Sequence, residues 1–335
     1  MRIETIDYAR GLLIIAVVLA HSMVPEGVFA FISYLLSAFL FISGYLYKDY
    51  GFYERFKKLF KGILIPYFFM AFFNLLIFEV FNLWTGVYNS PQIFLNFFKH
   101  IFLGLLDDLG SVPVTVIPLW YLYMFFVAEM LFLIMKKLKI VHLIPVMSIL
   151  FTYFGNSFLV FKISVAFHGL IYFYLGWLLK RRGFNFKFKV PWLYFILSLS
   201  GIIFLINING NVDWQFNFYG KNPLISYFVE FLWIILTISG ACLIKTKFLK
   251  RIFLVFGRNT LFVLGYHITI PAIFLYPLFS LFGDPVAIAE KLWIVYFILD
   301  FSLIYFIINF LPDLFLNILS GQFYLLKFQE MPLEK

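Results

Sequence analysis

Ten apolar stretches, each close to the length that spans a bilayer, dominate this 335-residue sequence. A transmembrane helix needs about 20 mainly apolar residues. The stretches fall at about 6–25, 28–47, 60–83, 117–135, 140–156, 162–180, 190–207, 223–244, 259–282 and 290–313. They are too long for barrel strands and lack strand alternation, so helices are the better interpretation. The sequence predicts an all-α polytopic membrane protein with about ten transmembrane helices in a single domain, 1–335.

The distribution of the few charged residues tests this interpretation. When the N-terminus is placed in the cytoplasm, alternation of the spans leaves 22 of the 26 Lys and Arg residues in cytoplasmic segments. Only Lys99, Lys162, Lys221 and Lys291 fall outside. Such an excess is typical of cytoplasmic loops. The net charge of +9 therefore reflects orientation and needs no nucleic-acid partner, and both termini are predicted to be cytoplasmic.

Three further segments bear on the topology. The first span reads as a retained helix, because Glu4 and Asp7 precede its apolar run and a small-residue cleavage pattern is absent. Residues 91–106, in the outer loop 84–116, have apolar side chains at helical spacing, which predicts an interfacial helix or a lid. The outer loop 208–222 is rich in Asn and aromatic residues. Such loops can hold sugars, although Asn and Gly are also ordinary turn residues.

Ionisable side chains within the spans are the functional candidates, because burying them in a bilayer is costly. The set is Arg10, His21, Glu79, Glu129, His168, Glu230, His267 and Asp300. Asp7, Arg10 and His21 share one stripe of the first helix, because 11 residues make about three turns. A buried carboxylate is either protonated or paired with Arg or His, and the sequence leaves those pairings open.

Several catalytic signatures are missing from the sequence. It has no H-E-x-x-H pattern, no G-x-S-x-G elbow and no phosphate-binding Walker loop. The scattered histidines predict no metal site. The single cysteine, Cys242, excludes an internal disulfide. A covalent Ser or Cys mechanism therefore has little support.

Five segments carry a resemblance to a known family. The first is IDYARGLLIIAVVLAH, in which ten residues separate Arg10 from His21. The others are FLFISGY at 39–45, the basic stretch from Arg55 to Pro66-Tyr67, PLWYL at 118–122, and GRNTL at 257–261 running to Tyr266-His267. Together they resemble the integral-membrane acyltransferase family 3, the bacterial O-acetyltransferases of cell-surface glycans, in its single-domain branch. The basic stretch departs from the family's pair of arginines before the proline.

The resemblance implies a reaction and residues to perform it. The donor would be acyl-CoA, usually acetyl-CoA, and the acceptor a hydroxyl of a glycan or lipid-linked glycan at a bacterial cytoplasmic membrane. His21 would be the general base, because the imidazole titrates near neutrality. Arg10, with Asp7 on the same stripe, would bind a CoA phosphate or a carboxylate through its planar donors.

Other residues complete the sets that the resemblance implies. His267 and Glu129 join His21, Arg10 and Asp7 as candidate catalytic residues. The candidates for binding the CoA phosphates are Lys57, Lys58, Lys61 and Arg258, with Arg181 and Arg182 beside them. Membrane topology explains the same basic residues without any ligand.

Two other functions fit a polytopic chain with buried charges. In a transporter, Arg10, Glu129, His267 and Asp300 would form a path for protons or a solute. Inverted repeats with broken helices would favour that function, and the sequence shows no repeat. A glycan flippase or polymerase is the third reading, although such proteins usually have more spans or larger polar loops.

Overall fold

A computed structural model shows the chain as a bundle of helices, as the apolar pattern predicts. The structure describes residues 4–85, 91–104, 113–155, 162–186 and 188–323. Within those ranges β structure is limited to one isolated bridge between Asp213 and Phe218. The helices are α1 (Glu4–Ala20), α2 (Glu26–Ile32), α3 (Leu36–Leu46), α4 (Phe52–Leu59), α5 (Ile65–Thr85), α6 (Pro91–Phe98), α7 (Trp120–Lys137), α8 (Ile144–Phe154), α9 (Ile163–Arg181), α10 (Pro191–Asn209), α11 (Pro223–Leu243), α12 (Lys247–Arg258), α13 (Thr260–Tyr266), α14 (Thr269–Ser280), α15 (Pro285–Lys291), α16 (Trp293–Phe310) and α17 (Asp313–Leu319).

The all-α membrane class is confirmed. Among the described residues, seven helical stretches are long and apolar enough to cross a membrane, and the α13–α14 pair makes an eighth if it counts as one span. The predicted spans 6–25 and 140–156 coincide with two shorter helices, α1 with 17 residues and the apolar stretch Val141–Phe154. The count of ten and the cytoplasmic placement of the termini stay predictions.

The predicted ninth span, 259–282, is broken in the middle. α13 ends at Tyr266, α14 begins at Thr269, and the two helices are bent by 47°. Pro271 lacks the N–H that would bond the carbonyl of His267 four residues earlier, so a regular helix cannot run through this turn. The break therefore leaves His267, which is 1% exposed, at a helix end inside the bundle.

α1 lies in the principal core and packs against α11, α12, α13 and α16. Two glycines permit its close approach to α12. A Cβ on Gly11 would collide with the backbone carbonyl of Phe253, and a Cβ on Gly257 would collide with that of Asp7. Because both contacts involve backbone atoms, larger residues would push α1 away from α12. The glycine pair thus fixes the position of the helix that carries Arg10 and ends beside His21.

Two peripheral helices show which surface meets lipid. Only 11% of the apolar segment of α10 and 22% of the apolar segment of α16 is buried inside the bundle. The exposed side chains of α10 include Trp192, Leu197 and Phe204. A helix with so large an exposed apolar surface is stable only in contact with lipid or another apolar partner. These helices form part of the lipid-facing surface of a membrane protein.

The helix predicted at 91–106 is confirmed over 91–103 by α6 and a π-helical turn, Lys99–Leu103, whereas residues 105 and 106 lie outside the described part of the chain. Phe97 and Ile101 are fully buried, whereas Phe98 and Phe102 are exposed. The hydroxyl of Tyr67 donates to the Ile101 carbonyl at 2.9 Å, which ties the segment to α5. Its role as a lid stays a prediction.

Candidate active site

His21 and His267, which are 246 residues apart, form a pair. His21 follows the last residue of α1, and His267 follows the last residue of α13. Nδ1 of His21 lies 3.3 Å from Nε2 of His267, and the rings meet edge to face with centroids 4.7 Å apart. The structure thus brings together two of the five candidate catalytic residues.

Backbone carbonyls determine which nitrogens of the pair carry hydrogen. Nδ1 of His21 lies 2.9 Å from the Val17 carbonyl. Nδ1 of His267 lies 3.1 Å from the carbonyls of Val263 and Leu264. A carbonyl only accepts, so both Nδ1 atoms are donors. The single hydrogen on Nδ1 of His21 is then shared between the Val17 carbonyl, at 2.9 Å, and Nε2 of His267, at 3.3 Å, and Nε2 of His21 keeps its lone pair.

The helix break is braced by a third polar residue that the sequence analysis did not single out. Asn74, fully buried in α5, donates from Nδ2 to the Gly265 carbonyl at 2.9 Å. Its Oδ1 accepts from the Thr269 hydroxyl, also at 2.9 Å. Asn74 therefore bridges the last turn of α13 and the first turn of α14, and His267 lies between them. Pro271 is the sequence signal from which the break could have been predicted. No local pattern marks Asn74 as the residue that bridges the break.

A cavity of about 360 Å³ lies beside the pair, and we call it the His21 cavity. Its wall includes Val17 and His21, Ser33 and Leu36, Trp120 and Tyr121, and Asp213, Trp214 and Gln215. Within the described residues the wall contains no Lys or Arg. Nε2 of His21 has no hydrogen-bond partner among the described residues, and the residue is exposed into this space. The cavity thus offers an unprotonated imidazole nitrogen in an otherwise mainly apolar and aromatic chamber.

The loop after α10 closes one side of the cavity, and buried polar groups hold it in place. The side chain of Lys162 is 3% exposed and donates from Nζ to the Gln215 carbonyl at 3.0 Å. Burial lowers the pKa of Lys162 to about 8. Burial also raises the pKa of Asp213, whose Oδ1 accepts from the backbone N–H of Gln215 at 2.9 Å. One of the four predicted outer lysines is therefore a buried structural group.

A second histidine cluster lies behind this loop. Nε2 of His168 contacts both oxygens of Glu230, at 2.9 and 3.1 Å, and both side chains are fully buried. Glu230 also accepts from the Tyr172 hydroxyl and from Nε1 of Trp214. The rings of Tyr219 and Tyr227 stack on the imidazole, with centroids 3.8 and 4.5 Å away. We call this group the His168 cluster.

Hydrogen-bond counting shows that both ring nitrogens of His168 are occupied. The Thr152 hydroxyl gives its one hydrogen to the Ser148 carbonyl at 2.7 Å. Nδ1 of His168, 2.9 Å from the Thr152 oxygen, must therefore donate. Nε2 and the carboxyl group of Glu230 share one hydrogen, and Nε2 is used by this contact whichever atom carries that hydrogen. Neither ring nitrogen of His168 therefore has a lone pair free for another reactant.

Glu129 lies apart from the His21 cavity. It is 2% exposed and accepts from Arg55 Nε at 3.2 Å and from the Ser43 hydroxyl at 3.0 Å. The Arg55 guanidinium lies 4.9 Å from the centre of the Tyr47 ring. This ion pair joins α3, α4 and α7. Arg55, which begins the basic stretch before Pro66-Tyr67, thus compensates the carboxylate, and Glu129 does not contact the histidine pair.

The predicted CoA-binding residues separate into two groups. Arg258 lines a cavity of about 900 Å³, together with Lys247, Lys250 and Arg251 of the same helix and Glu4 and Tyr8 of α1. We call it the basic cavity. Lys57, Lys58 and Lys61 lie on α4 and the π-helical turn Phe60–Leu64 and do not line it. The structure therefore gathers Arg258 with two lysines and one arginine, and these three residues were predicted only as cytoplasmic charges.

The remaining buried acids and bases lie outside both cavities. Asp7 is 6% exposed, Arg10 is partly buried, and neither lines the His21 cavity or the basic cavity. Asp300 is 2% exposed, and its Oδ1 has no hydrogen-bond partner among the described residues. Glu79 is partly buried on α5. In the described part of the chain, no three His, Cys, Asp or Glu side chains cluster as a metal site would require.

The comparison with family profiles identifies the chain. A profile described as "Acyltransferase domain" matches residues 3–319. Comparisons with curated proteins and with solved structures each give no match. The matched region runs from the start of α1 to the end of α17 and includes both histidines of the pair. The chain therefore belongs to acyltransferase family 3 and is a membrane acyltransferase.

Proposed function

We propose that the chain transfers an acyl group, in the first instance acetyl, from cytoplasmic acyl-CoA to a sugar hydroxyl of a cell-envelope or exopolysaccharide glycan. The enzyme would work in a bacterial cytoplasmic membrane, with His21 as its general base. Membership of the family supports acyl transfer. The observation that carries the assignment of the base is Nε2 of His21, which keeps a lone pair and faces a cavity large enough for reactants.

The proton follows a closed path in the proposed reaction. Nε2 of His21 takes the proton of the acceptor hydroxyl while the hydroxyl oxygen attacks the thioester carbonyl. The new C–O bond forms, the C–S bond breaks, and CoA leaves as a thiolate. The His21 imidazolium returns the proton to that sulfur, so the base is regenerated. General-base catalysis of this kind contributes about 10²–10⁴ in rate.

His267 acts in this scheme as a positioning residue. Its Nε2 accepts from Nδ1–H of His21, so the base cannot rotate its lone pair away from the cavity. When His21 gains a proton, the same contact stabilises the imidazolium. The two carbonyls on Nδ1 keep His267 in the accepting tautomer. This arrangement resembles in outline the orienting partner of a catalytic histidine in other acyl-transfer enzymes.

The basic cavity is the proposed binding site for the CoA phosphates. Arg258, Arg251 and two lysines offer charge-assisted donors to phosphate oxygens. Tyr8, in this cavity, and His21 lie 13 residues apart, or about 20 Å along α1. The acyl arm would have to extend over that distance to reach the base. Asp7 and Arg10, on the intervening stretch of α1, remain candidates for guiding it.

The test compares surface glycans from a strain lacking this gene with glycans from complemented strains. Mass spectrometry is expected to show lost acetyl groups in the deletion strain and recovery with the wild-type chain. A His21→Ala chain present in the membrane at the wild-type level is expected to restore none. Normal acetylation in the deletion strain would overturn the proposed function. Full recovery with His21→Ala would overturn only the assignment of the base.

A further inference from the structure

The basic cavity and the His21 cavity lie at opposite ends of α1. Glu4 and Tyr8, near the start of the helix, line the basic cavity, whereas Val17, Ala20 and His21, at its end, line the His21 cavity. In the proposed reaction CoA is anchored at the basic cavity, and its thioester carbonyl lies at Nε2 of His21. The acyl group is the part of the donor that extends past the thioester, so the His21 cavity is the space next to it.

The wall of the His21 cavity is mainly apolar. Aliphatic side chains reach it from four helices, with Val17 on α1, Ile32 on α2, Leu36 on α3 and Leu264 on α13. No described Lys or Arg lines the cavity. A wall of this kind favours an apolar ligand, because covering apolar surface removes it from water.

Two hydroxyl groups in this wall are already bonded to the protein. The Ser33 hydroxyl donates to the Ala30 carbonyl at 3.0 Å and accepts from the Val212 N–H at 3.3 Å. The Tyr121 hydroxyl donates to the Leu36 carbonyl at 3.3 Å. Neither hydroxyl has a hydrogen left for a ligand, so both residues present the cavity with little more than their apolar surface.

The His21 cavity is larger than an acetyl group needs. Its volume is about 360 Å³. An apolar cavity of about 150 Å³ is enough to bind benzene, a ring of six carbons. An acetyl group carries a single methyl beyond its carbonyl, which would leave most of the apolar wall uncovered. A longer linear chain, held at the same thioester position, would cover more of that wall.

We infer that the His21 cavity is an acyl-chain pocket and that the protein binds a linear acyl-CoA of about six carbons more tightly than acetyl-CoA. This inference rests on the proposed function, because it concerns the donor of the same reaction. The transfer step is unchanged: the C–S bond breaks, the C–O bond forms, and the proton passes through His21 to the thiolate. Acetyl-CoA still reacts, because its thioester lies at the same atom. Each added CH₂ that the wall covers is expected to tighten binding by up to about fourfold.

Competition with tritiated acetyl-CoA measures this preference without requiring an acceptor. The full chain in nanodiscs is titrated with CoA, acetyl-CoA, butyryl-CoA and hexanoyl-CoA, and empty nanodiscs correct for partition into lipid. The Kd of hexanoyl-CoA is expected to be at least about tenfold lower than that of acetyl-CoA, with butyryl-CoA between them. Equal Kd values for the acetyl and hexanoyl donors would overturn the inference.

A substitution that fills the pocket locates the preference. Ala20→Leu adds three carbons to the wall beside His21 and is expected to weaken hexanoyl-CoA binding about tenfold, with acetyl-CoA changed by less than about twofold. Ala287→Leu is the matched control, because Ala287 is exposed on α15 and does not line the cavity. Hexanoyl-CoA binding that is as tight in Ala20→Leu as in the wild type would contradict the pocket. The wild-type chain-length series decides the matter if that variant fails to fold.

The outcomes separate this inference from the proposed function. If neither CoA nor acetyl-CoA binds the wild-type chain, the proposed donor is wrong and the inference fails with it. Saturable acetyl-CoA binding that a longer chain does not improve contradicts the acyl-chain pocket alone. Binding that improves with chain length and depends on Ala20, in a wild-type chain that never acylates a sugar, supports the pocket and contradicts the proposed acceptor alone.

Discussion

His21 and His168 flank the same loop, but their surroundings differ. His168 uses both ring nitrogens in hydrogen bonds, to Thr152 and Glu230, and aromatic rings cover both of its faces. His21 donates only from Nδ1, and its other nitrogen faces a cavity. A histidine can serve as a base only where a lone pair and room for a reactant coincide. The comparison supports the proposal that His21 is the base and that His168 has a structural role.

Trp214 connects the two regions. Its Nε1 donates to Glu230 in the His168 cluster at 3.1 Å, and the same residue lines the His21 cavity. The His168 cluster thus holds a wall of the cavity in place. Substitutions in the His21–His267 pair are expected to lower the rate of acyl transfer. Substitutions in the His168 cluster are expected to lower the free energy of unfolding.

The largest effect is expected from His21→Gln. Loss of the base should lower acyl transfer about 10³-fold, within the range for general-base catalysis. Thermal stability in detergent should stay close to that of the wild type, because His21 is exposed to the cavity. The check is a transfer assay with labelled acetyl-CoA beside a melting curve. A variant that melts much earlier than the wild type would remove the distinction between the two histidines.

Glu230→Gln is expected to show the opposite pattern. An ionised His168–Glu230 pair would lose its carboxylate and leave a buried cation, and breaking a buried ion pair costs about 3–5 kcal/mol. The free energy of unfolding in mixed micelles measures this loss. The double variant Glu230→Gln/His168→Gln should regain part of it, since the uncompensated charge is gone. Equal stability of the wild type and Glu230→Gln would show that the cluster carries no charge.

A smaller change is expected for His267, which acts through His21 in the proposed reaction. His267→Leu removes the acceptor for Nδ1–H of His21, while the Val17 carbonyl remains as a partner. The expected loss is about 10–100-fold in kcat with little change in acceptor KM. The pH–rate profile should also shift, which a purely structural role would not produce. His267→Gln, which supplies another acceptor, should recover part of the rate.

The mildest test concerns Lys162, which holds the loop shared by both regions. Its pKa is lowered from 10.5 to about 8 by burial, so the folded chain releases this proton at lower pH than the unfolded chain. Stability should therefore rise between about pH 8 and 10.5, by up to about 3 kcal/mol. Melting curves across this range, with Lys162→Met as control, measure it. The stability of the wild type should rise more with pH than that of the variant. An equal rise in both would contradict the lowered pKa of Lys162.

Several features were readable from the sequence because they depend on local chemistry. Apolar runs predict helices wherever a bilayer leaves backbone groups no other partner, and the all-α membrane class follows. Helical periodicity placed Asp7, Arg10 and His21 on one stripe. The family resemblance, carried by segments such as 257–261, led to the acyltransferase family, and the profile match confirms it.

The tertiary structure decided the pairings. His21 meets His267 across 246 residues, and Arg55 meets Glu129 across 74. Such contacts depend on how distant helices pack, which hydropathy does not encode. The same holds for Asn74, which is unremarkable in α5 until it bridges the bend that Pro271 imposes on the predicted ninth span.

The roles of buried groups also needed the fold, because a side chain's chemistry depends on the partners that consume its donors and acceptors. By position in the spans alone, His168 and His267 were equivalent candidates, and only the family resemblance favoured His267. Hydrogen-bond partners place one in a closed contact with Glu230 and make the other an acceptor beside His21. The sequence thus determined the membrane environment, the all-α class and the acyltransferase family. Only tertiary packing decided that Nε2 of His21 keeps a lone pair beside a cavity, because that depends on partners from distant helices.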